Sequence, residues 1–197
     1  MSIAAPATNP ASDLELKLPA TIGTAGQVLK NSSTPGTLEF GADAGLFSSL
    51  AVLEDQQSTG TEGGTATSGS WVHRTLNTEV YDPDSIVSLT SNQFTIGPGN
   101  FFIYFESQSY SAGRNQNRLY NVTDSSVIKY GNNAYGSGGE GVTNVSWGYG
   151  RVTISSGTKV FRVEHRVEAT MNTYGWGVAF SDGGGNIYTR VVIYKEA

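Results

Sequence analysis

The chain has 197 residues, no cysteine, and 12 Lys and Arg against 17 Asp and Glu, for a net charge of −5. Without cysteine there are no disulfide frameworks, thiolate metal sites or thiol nucleophiles, and without clustered basic residues there is no field to draw in nucleic acid. The 25 glycines, set among Ser, Thr and Asn with Tyr, Phe and Val as strand formers, predict an all-β chain of short strands and tight turns, long enough to bury a core.

Met1–Ser12 is rich in Ala, Pro, Ser and Thr without periodicity, and is expected to be disordered in isolation. It has neither the basic start nor the apolar run of a secretory signal, and no stretch of the chain is long and apolar enough to span a bilayer as a helix. Leu14–Gly41 reads as short strands at Leu14–Leu18, Gln27–Lys30 and Thr37–Phe40 between Pro and Gly turns. So few apolar side chains cannot hold a core alone, so Leu14, Leu16, Leu18, Val28, Leu29, Leu38 and Phe40 are expected to be completed by a partner. Ala42–Ser49 reads as a hinge, and Ser58–Gly69 as a flexible low-complexity loop.

Beyond the hinge, strands are predicted at Leu50–Glu54, Trp71–Leu76, Ile86–Leu89, Gln93–Ile96, Asn100–Ser109, Arg118–Val122, Val127–Tyr130, Val142–Trp147, Arg151–Ser155, Lys159–Ala169, Gly177–Phe180 and Ile187–Tyr194. This spacing, with no helical period, predicts an antiparallel sandwich or jelly roll. Asn92–Tyr130 carries the densest strand and turn pattern. Within it Phe101, Ile103 and Phe105 share one face of a strand, and Phe102 and Tyr104 share the other. A strand apolar on both faces needs a cover on both, one from its own core and one from another subunit, so all five are candidates for a subunit interface. In Val160–Ala169 a face of Phe161, Val163, His165, Val167 and Ala169 opposes Arg162, Glu164, Arg166 and Glu168, which predicts a solvated or subunit-facing ion-pair ladder.

Two resemblances add to this reading. Ile22–Gly41, with its GQVL core, resembles β-hairpin segments near the attachment region or shaft of tailed-bacteriophage fibre and appendage proteins. From Trp71 onward the order of landmarks resembles the complement/tumour-necrosis-factor-like jelly roll as phage appendages use it. Those landmarks are Tyr81–Pro83, Phe94–Glu106, Arg118–Ile128, the Gly150–Arg166 hairpin and the closing Ile187–Ala197. The resemblance implies a virion-attachment arm over 1–48 and a trimerising jelly roll over 49–197. It implies a homotrimer built around an apolar sheet face, contacts with other virion structural proteins, and assembly in the host cytoplasm. The Gly-rich Asn132–Gly141 stretch, read as a long loop, departs from the family pattern.

No enzyme, metal or cofactor is expected. Gly136, Gly138 and Gly141 match a phosphate-cradling spacing, but the strand after them leaves no helix N-terminus to complete it. Asp82 and Asp84 flank a proline and read as turn formers, too few for a calcium site. His73 and His165 belong to no metal spacing and are given structural roles. The acceptor triplets at Asn121 and Asn144 carry no weight without a secretory route. Tyr135, Trp147, Tyr149, Tyr174 and Trp176, near strand ends and Gly-bearing turns, are the candidates for stacking on a host cell-surface glycan or protein. Three alternatives are a surface-polysaccharide depolymerase, whose carboxylates would come from Asp82, Asp84, Asp124, Glu140 and Asp182, a purely structural capsid or tail decoration, and a secreted complement-like recognition protein of a cellular organism, against which the lack of a signal pattern and of cysteine argues.

Overall fold

The computed structural model describes residues 17–42, 45–137 and 141–197. The chain divides into two compact units, residues 1–45 and 46–197. Leu14, Leu16 and the Met1–Ser12 segment lie outside the described residues.

In the first unit, β1 (Gln27–Asn31) pairs antiparallel with β2 (Leu38–Ala42), with Leu29 opposite Phe40 and Asn31 opposite Leu38. Leu29, Leu38 and Phe40 therefore share one face of the hairpin, and Val28 faces the other way. Gly23 lies against the Phe40 ring: a Cβ there would come within 2.6 Å of it. Leu18, Val28 and Leu29 remain exposed, as expected of a two-stranded ribbon.

The second unit is all β, with no helix among the described residues. Its strands are β3 (Phe47–Gln57), β4 (Val72–His73), β5 (Thr78–Tyr81), β6 (Val87–Thr90), β7 (Gln93–Ile96), β8 (Gly99–Tyr110), β9 (Gly113–Asn121), β10 (Ser126–Gly136), β11 (Thr143–Ile154), β12 (Lys159–Val167) and β13 (Asn186–Glu196). They form two antiparallel sheets, β11-β8-β13-β3-β5 and β10-β9-β12-β7-β6, with β4 also on β12. Successive strands cross between the sheets at every step except β6 to β7 and β9 to β10. This is the double Greek-key path of a jelly roll, and the all-β antiparallel jelly-roll prediction holds.

The core lies between the sheets. Ala51, Leu53, Phe101, Ile103, Phe105, Val191 and Ile193 point in from the first sheet, against Phe94, Ile96, Leu119, Phe161 and Val163 from the second. Burying each large side chain is worth about 1.5–3 kcal/mol. The β6–β7 hairpin turns on Ser91 and Asn92, both at positive φ, as a two-residue type I′ turn requires.

Toward the other end of the sandwich the interior becomes polar. Ser107 and Ser109 of β8, Asn115 and Asn117 of β9, Ser146 of β11, His165 of β12 and Thr189 of β13 are all buried. Asn117 Nδ2 donates to the Ser146 carbonyl at 2.6 Å, and Ser146 Oγ donates to Asn117 Oδ1 at 2.9 Å. A small apolar cluster of Ala66, Ala112, Val167 and Trp176 closes this end.

Several local expectations are corrected. Strand β9 begins at Gly113, not Arg118, because Asn115 and Asn117 fill inward positions where apolar residues were sought. Asn132–Gly136 belongs to β10 rather than to a loop. The expected strands at Val142–Trp147 and Arg151–Ser155 are one strand, β11. Of Trp71–Leu76 only Val72–His73 pairs, Thr78–Tyr81 is an unforeseen strand, and Gly177–Phe180 is not a strand. The expected hinge ends early, since Phe47 already pairs with Glu196. Glu164 is not solvated: it is 2% exposed and binds Arg118 and Arg162, each at 2.5 Å.

Candidate functional site

The most conspicuous surface of the second unit is the outer face of the β11-β8-β13-β3 sheet. Register builds it in rows. Arg151, Phe102, Tyr194 and Leu50 align across the four strands, and beside them Tyr149, Tyr104, Val192 and Val52. The next row is Trp147, Glu106, Arg190 and Glu54. Because alternate residues share a face, the apolar side chains of two rows fall on one surface.

Aromatic rings bind these rows together. Phe102 lies 5.5 Å from Tyr149 and 6.4 Å from Tyr194, Phe47 lies 4.8 Å from Tyr194, and Tyr104 lies 6.4 Å from Trp147. Even so, Trp147 is 44% and Tyr149 52% exposed. The third row is polar. Tyr104 Oη donates to Glu106 Oε2 at 2.7 Å, and Arg190 donates from Nη1 to Glu106 at 3.3 Å and from Nε to Glu54 at 2.6 Å. Burial, with the Glu106 hydrogen bond behind it, pushes the Tyr104 phenol up to about 12. Hydrogen bonding to Glu54 raises the Arg190 guanidinium above its ordinary value. The face thus offers an apolar area with an ion-paired, hydrogen-bonded border.

Of the five interface candidates on β8, only Phe102 and Tyr104 reach this surface. Phe101, Ile103 and Phe105 are at most 1% exposed and belong to the core, because the pleat sends alternate side chains to opposite faces. Trp147 and Tyr149, read as lying near strand ends and Gly-bearing turns, stand within β11 and join Phe102 and Tyr104. Sequence reasoning missed Phe47 and Tyr194, which a register argument from the closing strand could have found.

The remaining aromatic candidates separate. Trp176 is 8% exposed, so it is corrected from a surface to a core residue. Its ring packs against the Arg74 guanidinium at 4.4 Å and His165 at 5.2 Å. Tyr174 meets Tyr110 edge-on at 5.6 Å. Tyr135 stands out from β10 at 63% exposure. Asp82 accepts hydrogen bonds from the Ile86 and Val87 amides, each at 2.9 Å, which is the turn role expected of it. Asp124 binds Lys159 at 2.6 Å, and that hydrogen bond holds its carboxyl below the usual range. Gly138 and Glu140 lie outside the described residues.

No protein-family model and no curated protein matches the chain. Among solved structures it is similar to the globular domain of zebrafish complement 1qA protein, at 19% identity over 75% of this chain and 96% of that one, with a TM-score of 0.45. It is also similar to murine APRIL, at 8% identity over 75% and 98% of the two chains and a TM-score of 0.48. A third such structure is Eiger TNF from S. frugiperda, at 11% identity over 75% and 92% of the chains and a TM-score of 0.48.

Proposed function

We propose that the chain is a non-enzymatic structural and binding protein of a tailed-phage virion. Three copies associate through the aromatic face of the first sheet, the N-terminal unit attaches to another virion structural protein, and the free surfaces meet the host. The observation that carries this reading is the row system on the outer sheet face, where half-buried Phe102, Tyr104 and Tyr194 lie beside exposed Trp147 and Tyr149. A contiguous apolar patch with a polar rim is the anatomy of an interface, and the ordered Glu106–Arg190–Glu54 border would fix its register.

The number three comes from the resemblance of the C-terminal landmarks to complement/tumour-necrosis-factor-like jelly rolls, which trimerise around such a face. The virion setting comes from the resemblance of Ile22–Gly41 to phage attachment hairpins. The exposed Leu18, Val28 and Leu29 and the Leu29–Leu38–Phe40 face are the surfaces by which that unit would dock. With three equal sites on a trimer and many trimers on a particle, weak single contacts suffice for attachment.

Removal of residues 1–45 tests the division of labour. The shortened protein is expected to remain a soluble trimer and to be missing from purified virions. Incorporation at the normal copy number would overturn the role given to the N-terminal unit.

A further inference from the structure

The outer face of the second sheet carries a groove of about 720 Å³ at one end, on a different sheet from the aromatic face. Register places its polar groups. Arg166 of β12 stands opposite Gln116 of β9, and Gln116 stands opposite Asn133 of β10, so the three form one row across three strands. In the adjacent row Arg114 stands opposite Tyr135. Trp71 closes the other side, its ring fixed by the Arg118 guanidinium at 4.2 Å and by Tyr130 at 5.8 Å. Two aromatic rings therefore flank a row of amides and a guanidinium.

The charges of the groove are unequal. Among the described residues its charged lining is Arg114, Arg166 and Glu168. Glu168 is engaged by Arg114 through the backbone amide at 2.9 Å and the guanidinium at 2.6 Å. The amide first, then the guanidinium, holds its carboxyl below the usual range. Arg166 makes no ion pair among the described residues. The groove thus keeps a surplus positive charge in a chain whose net charge is −5. Gln116 Nε2 donates to the Gly131 carbonyl at 2.9 Å, which leaves its amide oxygen to accept from a hydroxyl.

We propose that this groove binds a saccharide bearing a carboxylate, with the carboxylate on Arg166, hydroxyls on Gln116 and Asn133, and a sugar ring against Tyr135 or Trp71. Guanidinium–carboxylate pairing gives the preference for an acidic sugar. The aromatic walls give area to the apolar face of a pyranose, and the volume lies in the range of about 300–1,000 Å³ usual for small-ligand sites. The groove opens on the sheet face, where side chains and not a ladder of backbone groups are on offer, which favours a sugar over an extended peptide. The inference rests on the attachment reading only for the source of the sugar. Its test uses the purified full chain, so failure of the virion experiment leaves it standing.

Titration with oligogalacturonate, followed by calorimetry and tryptophan fluorescence, is expected to show saturable binding. A neutral maltooligosaccharide of equal length should bind about tenfold more weakly or less. Arg166→Gln and Tyr135→Ala should each weaken the acidic sugar about tenfold, the loss expected for one charge-assisted or stacking contact, with the melting temperature unchanged. Absence of saturable binding, equal affinity for the neutral sugar, tighter binding of an oligoglutamate peptide, or undiminished binding by Arg166→Gln would each overturn the proposal.

Discussion

Arg74 lies wholly inside the sandwich, and it can stay there because its donors find oxygens. Nε donates to Thr189 Oγ1 at 3.1 Å, Nη1 to the Gln108 carbonyl at 3.1 Å, and Nη2 to the Trp176 and Tyr188 carbonyls at 3.2 and 3.3 Å. Burial lowers its pKa to about 9, and the charge of buried Asp55 works against that shift. Asp55 is itself raised by burial, against its hydrogen bond from Gln57 and the charge of Arg74. His165 belongs to the same interior: burial, and then the Arg74 charge, hold it well below its usual 6.5. Its Nε2 meets Asn115 Oδ1 at 3.0 Å, while Nδ1 has no partner among the described residues.

The sign of the pH effect follows. Below pH 6.5 the unfolded chain takes up a proton that the native His165 refuses, so stability falls as pH falls, by up to about 1.4 kcal/mol per pH unit until the native pKa is reached. Urea midpoints at pH 7.5 and 5.5 measure it. His165→Gln, which keeps a donor toward Asn115, is expected to flatten that dependence, and an unchanged slope would remove His165 as its source.

At the scale of the element, β11 shows how glycine serves a strand. Gly148 and Gly150 point inward between the outward Trp147, Tyr149 and Arg151. A Cβ at Gly148 would lie 2.6 Å from the Phe105 ring and 2.9 Å from the Gly131 backbone. The two sheets approach closely there because neither carries a side chain. Gly148→Ala is therefore expected to cost about 1–3 kcal/mol, the range of overpacked cores, read as a lower urea midpoint with unchanged β signature. A neutral substitution would mean that the sheets can part at this point.

The same glycines explain what could and could not be read in the sequence. Phe101 to Phe105, Phe94 and Val160 to Val167 alternate cleanly, and their strands and inward faces were legible. Gly148, Tyr149 and Gly150 in β11 read as a break between two strands because glycine ordinarily interrupts strands, and only the facing sheet reveals why glycine is required. Asn115 and Asn117 hid the start of β9 in the same way, since their inward positions are satisfied by partners on β11 and β12, far away in sequence. Of the candidate surface, Phe102 and Tyr104 were legible as a pair. Their union with Tyr149, Trp147, Tyr194 and Phe47 depends on pairings of strands distant in sequence, which periodicity does not contain.

At the scale of the molecule, the two units differ in kind. Residues 46–197 have a core of their own, whereas the β1–β2 hairpin leaves Leu18, Val28 and Leu29 exposed. In the proposed assembly the hairpin and the aromatic sheet face are each covered by a different partner. Arginine at the centre of the aromatic face would place three like charges in an apolar contact, at a cost of several kcal/mol per buried charge, while leaving the core behind it intact. The mass of the purified protein in solution is therefore the most direct test, measured by light scattering at micromolar concentration alongside Phe102→Arg and Tyr149→Arg. The wild type is expected at three times the 20.9 kDa chain mass, with both variants folded and monomeric. A monomeric wild type, or variants that remain trimeric, would contradict the assembly described here.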